Sequence, residues 1–243
     1  MFLLGTGPSL KEVDLLPLGD HVTMAVNSFY RHPILEHWHP TYFAMMDWAW
    51  FVNGDDMSPF FEAVRTALPD VTYFVPSMFV HEVRKYGWLP EETTRYVPMD
   101  GDFSSGPWTD IDMRLLPSTP NAIMFALALA IHFGASPIVL VGIDHDWLAA
   151  PFTTEMNDTH FHPEPPWRFS MSHIQNFFLD YEDTAQYCVR VWNAHANLRT
   201  IAERKGQRIV NVSPGTYLDV FEQDTLANIV AQHPATQREG SRK

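Results

Sequence analysis

Short apolar segments alternate with polar turns rich in glycine and proline along most of this chain. Short apolar runs predict buried strands, and the longer apolar segments between them predict helices. The predicted strands are residues 1–4, Val22–Val26, Tyr42–Met46, Val71–Val75, Ile138–Val141 and Arg208–Val212. The predicted helices are Lys11–Leu16, Pro59–Leu68, Asn121–Phe133 and about Ile174–Lys205. This alternation is typical of an α/β protein with a Rossmann-like, doubly wound and mostly parallel sheet.

Local signals place the ends of two of these helices. Ser9 with Glu12 three residues later predicts a capping box at the first helix. Ser118–Pro120 predicts the start of the third helix, with a hydroxyl cap and proline at the first helical position. That helix is expected to end at Gly134.

The remaining segments predict a single domain with two insertions. Residues 81–117 and 147–172 contain scattered Gly, Pro and Trp and are expected to be irregular and lid-like. We therefore expect one nucleotide-binding domain over residues 1–232, followed by a polar, disordered tail at 233–243.

Charge and composition exclude several classes of function. The chain has 243 residues, with 16 basic against 29 acidic side chains and a net charge of −13. Such an acidic protein is not expected to bind nucleic acid or an anionic membrane. The single cysteine, Cys188, excludes disulfide frameworks. We find no signal-peptide pattern and no apolar run long enough to span a bilayer, so a cytoplasmic protein is expected.

Unusual polar residues follow several predicted strands. They are Thr6, Ser9, Asn27, Ser28, Asp47, Asp144 and His145. In doubly wound sheets, ligands bind beyond the carboxyl ends of the strands. These residues therefore predict a ligand site at one edge of the sheet, although Asn, Ser and Asp also favour ordinary turns.

The turn after the first strand, Gly5–Thr6–Gly7–Pro8–Ser9, is a candidate phosphate cradle. Glycine lets the backbone approach a phosphate closely, and the next helix offers its N-terminal amides. The turn matches neither a Walker A sequence nor a G-x-G-x-x-G fingerprint. A tight connection between strand and helix is the alternative.

Two further segments carry candidate chemistry. Asp144–His145–Asp146 follows a strongly apolar strand, and a carboxylate there could bind a ribose or a divalent cation; a cap or surface turn is the alternative. His160 and His162 lie in a polar loop, and either imidazole could act as a general base. Together with Asp144 they could also hold a metal, or the loop could simply be solvated.

Three segments resemble bacterial sialyltransferases of glycosyltransferase family 42: residues 3–14 (LLGTGPSLKEVD), residues 26–30 (VNSFY) and the helix–strand block ending in Gly142–Ile143–Asp144. The resemblance implies a CMP-sugar donor, inversion at the anomeric carbon and no metal requirement. It implies nucleotide contacts at Gly7, Asn27, Gly142 and Asp144, and at Ala122, where the family has serine; we assign the preceding Asn121 to the same group.

Two positions depart from that family. Thr6 stands where the sialyltransferases have asparagine, and Glu164 stands where their catalytic histidine lies, four residues after a histidine that aligns with His160. The catalytic candidates are therefore His160, His162 and Asp144, with Glu164 as a further alternative.

A second resemblance covers residues 121–145, 158–163 (DTHFHP) and 206–211 (GQRIVN), which are similar to the MptE-like 6-hydroxymethylpterin diphosphokinase family. It implies ATP, Mg²⁺ and transfer of a pyrophosphoryl group to a hydroxymethyl group. In that case Asp144 and Asp47 would hold the metal.

From these patterns we expect a nucleotide-dependent transferase of surface-glycan synthesis. The favoured reaction is glycosyl transfer from a CMP-nonulosonate-like donor to a glycan or small-molecule acceptor, without a tightly bound cofactor. The Mg²⁺-dependent pyrophosphokinase and an inactive nucleotide-binding module remain alternatives, and an oligomer is compatible with the sequence.

Overall fold

A computed structural model describes residues 1–102, 116–119, 121–146, 161 and 181–235 of the chain. The strands are β1 Phe2–Leu4, β2 Thr23–Val26, β3 Tyr42–Ala44, β4 Thr72–Pro76, β5 Thr94–Val97, β6 Met99–Asp102, β7 Leu116–Ser118, β8 Ile138–Val141, β9 Ile209–Asn211 and β10 Glu222–Gln223. The helices are α1 Trp48–Val52, α2 Ser58–Ala67, α3 Val80–Tyr86, α4 Ala122–His132, α5 Tyr181–Arg204 and α6 Leu226–Gln232. Short 3₁₀ turns follow β1 at Pro8–Glu12 and β2 at Asn27–Arg31.

Eight of these strands form one parallel sheet in the order β10-β9-β8-β1-β2-β3-β4-β5. The chain builds outward from β1 to β5, then returns to the other side of β1 at β8 and continues to β10. The direction of winding therefore reverses between β1 and β8, which is the position where doubly wound sheets bind ligands. This architecture is the predicted Rossmann-like α/β fold. β6 and β7 pair separately.

Both faces of the sheet are covered, which explains why its strands are continuously apolar. Along β1, Leu3 packs into one core with α4 and α5, whereas Phe2 and Leu4 pack into the other core with α2 and α3. Every residue of α4 from Ala122 to Ile131 is buried. A helix that is apolar on all sides needs cover on all sides, which the sheet and α5 supply.

The structure corrects several sequence predictions. Residues 81–117 are not irregular throughout, because most of α3 and the strands β5, β6 and β7 lie there. Helix α4 is capped by the Asn121 side chain, which accepts from the amide of Met124, and not by Ser118 or Thr119.

The predicted helix Lys11–Leu16 is wrong, because this segment forms two short 3₁₀ turns, Pro8–Glu12 and Leu16–Leu18, with residues 13–15 non-helical between them. The capping box at Ser9 is also wrong, since no side chain caps the first of these turns. α1, β10 and α6 were not predicted.

Among the described residues, no helix is both long enough and apolar enough to cross a membrane.

Candidate functional site

The turn after β1 is held by its own amides. Those of Gly5, Gly7, Ser9 and Leu10 all donate within the protein, and Pro8 has no amide hydrogen. The four bonds run from Gly5 N to Val141 O (2.8 Å), Gly7 N to Gly142 O (2.9 Å), Ser9 N to Asp144 Oδ2 (2.8 Å) and Leu10 N to Gly7 O (3.2 Å). These four amides are therefore already engaged, whereas the Thr6 amide makes no hydrogen bond among the described residues.

Gly7 is required for close packing between two strand ends. A Cβ atom at Gly7 would lie 2.6 Å from the Asp144 Cγ atom and 2.8 Å from the Gly142 carbonyl oxygen. No side chain fits at those distances without displacing the carboxylate. The glycine thus lets Asp144 approach the turn, in the position an anionic ligand would take.

Asp144 is 6% exposed and is bound on both carboxylate oxygens by Ser9. The Ser9 hydroxyl donates to Oδ1 at 2.5 Å, and the Ser9 amide donates to Oδ2. Burial raises the pKa of the Asp144 carboxyl, although both bonds from Ser9 oppose the rise. Burial likewise raises the pKa of the neighbouring Asp146. Two partly desolvated carboxyls therefore lie at the end of β8.

Asn27 and His145 are the two non-glycine residues with positive φ in the described part of the chain, both at +52°. This left-handed conformation is uncommon for residues with a side chain, and strained backbone tends to persist at functional sites. Asn27 follows β2 directly, and its side-chain Oδ1 is buried without a hydrogen-bond partner among the described residues. A buried unpaired oxygen is costly unless something outside the protein satisfies it.

His145 packs against a second buried histidine on α5. The His145 and His195 rings are edge-on, with centroids 5.0 Å apart, and the Trp192 ring lies 5.6 Å from His145. His195 is fully buried, and its Nδ1 lies 2.9 Å from the Val191 carbonyl oxygen, which makes Nδ1 the protonated nitrogen. Burial lowers the pKa of His195 to about 4. The pKa of His145 also lies well below its usual value, first because the ring is buried and second because His195 is close to it.

These features meet in a crevice at the carboxyl ends of β8, β1 and β2, with a cavity volume of about 110 Å³. Nine of the predicted nucleotide-binding residues line it: Gly5, Thr6, Gly7, Asn27, Asn121, Ala122, Gly142, Asp144 and His145. Asp146, which belongs to the candidate segment Asp144–His145–Asp146, also lines it, and the three remaining lining residues were not predicted: Val26, Ile123 and Ile143. Pockets that enclose a whole small molecule usually measure about 300–1,000 Å³. The described residues therefore form part of a site.

Four predicted residues do not line this crevice: Pro8, Ser9, Ser28 and Asp47. Ser9 acts on it indirectly by holding Asp144. Asp47 caps α1, where its side chain accepts from the amide of Ala49. The strand-end rule selected Asp47 correctly as a residue that follows β3, but that position carries ordinary capping chemistry.

The predicted catalytic histidines, His160 and His162, and the alternative Glu164 lie outside the described residues. Phe161, between the two histidines, is described. Its amide donates to the carbonyl oxygen of Thr6 at 3.1 Å, and its ring packs 4.9 Å from the His32 ring. One residue of the predicted catalytic segment therefore lies against the turn that lines the crevice.

Asp144 and Asp146 are hard oxygen donors of the kind that Mg²⁺ prefers. Within the described ranges, no group of three or more His, Cys, Asp or Glu side chains is arranged to hold a metal ion. Asp47, the second predicted metal ligand, does not line the crevice.

No protein-family model, no curated protein and no solved structure matches this chain. The two family resemblances therefore remain predictions, and the crevice itself is the ground for a functional assignment.

Proposed function

We propose that this protein is a nucleotide-dependent transferase that moves a sugar from a nucleotide-activated, CMP-nonulosonate-like donor to a hydroxyl group of its acceptor. The observation that carries the proposal is the crevice at the reversal point between β1 and β8. It brings together nine residues that the sequence selected for nucleotide binding, among them the strained Asn27 and His145. Ligand sites of doubly wound sheets lie at this position.

The crevice offers both acceptors and donors to its ligand. The Asn27 Oδ1 atom and the carboxylates of Asp144 and Asp146 are acceptors. The Asn121 Nδ2 group, which is buried without a hydrogen-bond partner among the described residues, is a donor. Ribose hydroxyls and the exocyclic amino group of a base are donors that match the acceptors. In this proposal the nucleoside occupies the crevice and the phosphate points away from the carboxylates, because two acidic side chains repel it.

Glycosyl transfer then requires a proton acceptor for the incoming hydroxyl. The acceptor oxygen forms a bond to the anomeric carbon of the sugar as that carbon loses its bond to the phosphate oxygen. The bonding electrons leave with the nucleotide, and the hydroxyl proton passes to a general base. His160 and His162 are the sequence candidates for this base, and the residue between them, Phe161, donates its amide to the carbonyl oxygen of the crevice residue Thr6.

A thermal-shift titration tests the binding half of the proposal, because a ligand that binds only the folded state raises the melting temperature. We expect CMP, CTP or the CMP-sugar to raise it. Asn27→Gly keeps the left-handed backbone, since glycine accepts positive φ, but removes the side-chain oxygen. This variant should unfold at a temperature close to that of the native protein and lose most of the nucleotide response.

Asn228→Ala on α6 is the matched control, because its side chain contacts Asp224 at the surface and does not line the crevice. A native protein that responds to no nucleotide, or an Asn27→Gly variant that responds normally, would contradict the proposal. Nucleotide binding without release of CMP from the CMP-sugar would favour an inactive binding module.

A Mg²⁺-dependent pyrophosphokinase is a second candidate, favoured by the two carboxylates in the crevice. Asp144 and Asp146 would hold the Mg²⁺, which would neutralise charge on the phosphates of ATP. The test is the same titration with ATP, with and without Mg²⁺. An ATP response that needs Mg²⁺ and is lost in Asp146→Asn would favour this reaction, and activity that survives EDTA would exclude it.

A further inference from the structure

The crevice measures about 110 Å³, less than the pockets that enclose a whole small molecule, so a nucleotide bound there would also contact neighbouring parts of the chain. Strand β9 lies beside β8 and runs parallel to it, so its carboxyl end lies at the same edge of the sheet. The segment after it, Val212–Tyr217, was not assigned any role by the sequence analysis.

Hydrogen bonds at Ser213, Thr216 and Tyr217 fasten this segment to the crevice loop Gly142–Asp146. The amide of Ile143 donates to the Ser213 hydroxyl at 2.8 Å, and the Thr216 hydroxyl donates to the Ile143 carbonyl oxygen at 2.8 Å. The amide of Tyr217 donates to the Asp144 carbonyl oxygen at 2.8 Å. These bonds engage both an amide group and carbonyl groups in the backbone of the loop that carries Asp144 and His145.

The Tyr217 side chain is 55% exposed although its backbone is anchored directly beside the crevice. The next residue, Leu218, is fully buried, and Asp219 accepts from the Trp192 indole nitrogen at 3.1 Å. The backbone of Tyr217 is thus fixed on both sides while its ring remains open to solvent. An exposed aromatic ring on a fixed backbone suits stacking, since little conformational freedom is lost when a ring stacks on it.

We propose that the segment Ser213–Tyr217 forms a further wall of the nucleotide site, in which the Tyr217 ring stacks on the base or sugar ring of the ligand and Thr216 positions the crevice loop. This inference rests on the proposed function. It adds an aromatic stacking contact to a crevice in which His145 carries the only aromatic ring among the described lining residues, and base–aromatic stacking tolerates different bases.

Affinities for CMP and ATP, measured by calorimetry, test the stacking contact. Tyr217→Ala should weaken the affinity about tenfold to 100-fold, while Tyr217→Phe, which keeps the ring, should stay within about threefold of the native value. Trp48→Ala is the matched control, because Trp48 is 59% exposed but follows β3, whereas the amide of Tyr217 is bonded to the crevice residue Asp144. An unchanged affinity in Tyr217→Ala, or an equal loss in Trp48→Ala, would overturn the inference.

The positioning role of Thr216 is tested by exchanging its hydroxyl for a methyl group. Valine is similar in shape to threonine, so Thr216→Val should loosen the crevice loop without changing its packing. We expect faster hydrogen exchange of the Tyr217 amide and a weaker affinity for the nucleotide. Thr216→Ser should restore both, because it keeps the donor. Thr200→Val on α5, which also loses a hydroxyl bond to a carbonyl oxygen, is the control.

The outcomes separate this inference from the proposed function. If the native protein binds neither CMP nor ATP, the proposed function is wrong and the stacking role falls with it. If the native protein binds a nucleotide but the Tyr217 and Thr216 variants bind it equally well, only the inference about this segment is wrong.

Discussion

The carboxyl ends of β8, β1 and β2 differ from the carboxyl end of β3, although all four strands belong to one parallel sheet. At the first three, backbone strain at Asn27 and His145, a buried carboxylate and an unpaired side-chain oxygen occur together. At the end of β3, Asp47 accepts the helix amide that an N-cap is expected to accept. Polar residues are found at both places, but they serve different purposes.

The difference shows how to separate a site from a turn within this sheet. A cap residue reduces the number of unsatisfied polar groups, because it pairs a helix amide that would otherwise lack a partner. Asn27 does the reverse, since its oxygen is buried and unpaired and its backbone is strained. A strand end with backbone strain and a buried, unpaired oxygen is the better candidate for ligand binding.

The largest expected effect on stability concerns Gly142, which joins β8 to the crevice. Its φ is +70°, and a Cβ atom there would lie 2.5 Å from the Leu10 Cγ atom. Backbone strain and displacement of Leu10 together should make Gly142→Ala destabilising by about 3 kcal/mol. Urea unfolding measures the change.

Gly134→Ala is the control for that variant. Gly134 ends α4 with a φ of +74°, but a Cβ atom there would meet open space. The substitution should cost only about 1 kcal/mol, the contribution of backbone strain alone. Equal losses in the two variants would mean that the packing between the two turns is not tight.

A smaller effect is expected from pH, through the buried His195. Its pKa of about 4 lies below the unfolded value of 6.5, so the unfolded chain binds the proton more readily. Stability is therefore complete above about pH 6.5 and is lost as the pH falls toward 4. The loss at pH 5 from this one group should be about 2 kcal/mol relative to pH 7.

His195→Leu removes that titration and keeps an apolar side chain in the core. The difference between its free energies of unfolding at pH 7 and pH 5 should be smaller than in the native protein by about 2 kcal/mol. His32, whose pKa burial also lowers to about 4, remains in both proteins and cancels in the comparison. The pKa of His145 is lowered first by burial, which the substitution leaves in place, and only second by His195. An identical pH dependence in variant and native protein would show that His195 is not held neutral by burial.

The smallest effect is expected at Asp47. Asp47→Ala removes the cap of α1 and should lower the free energy of unfolding by about 1 kcal/mol. The nucleotide-induced thermal shift should stay as in the native protein, in contrast to Asn27→Gly. A variant that keeps its stability but loses the nucleotide response would place Asp47 in the site and remove the distinction between the two strand ends.

Six of the eight strands of the main sheet could be predicted, because they are short, apolar runs that each end in turn residues, whereas β5 and β10 were missed. Ile138–Val141 has the same bounds in the sequence prediction and in the structure. The segment 81–117 could not be predicted in the same way. Gly87, which suggested irregularity, ends α3 in a left-handed conformation, and Trp88 is buried in the core rather than placed in a loop.

The crevice residues could be predicted from their positions after strands, but their bonding could not. Ser9 has the sequence context of a helix cap, yet it binds Asp144, which lies 135 positions away along the chain. Local sequence patterns do not contain such a contact. Ser213 and Thr216 were missed although they follow β9, and applying the strand-end rule to that strand would have found them.

Helix α4 limits how this site can acquire a different ligand preference. The residues at its start, Asn121–Ile123, line the crevice, and the helix that follows them is enclosed by the sheet and α5. A substitution at Ala122 or Ile123 would therefore change the lining of the crevice and at the same time disturb the packing of the domain. Variation in specificity should accumulate instead in the surface segments around the crevice, where a side chain can change without repacking the interior.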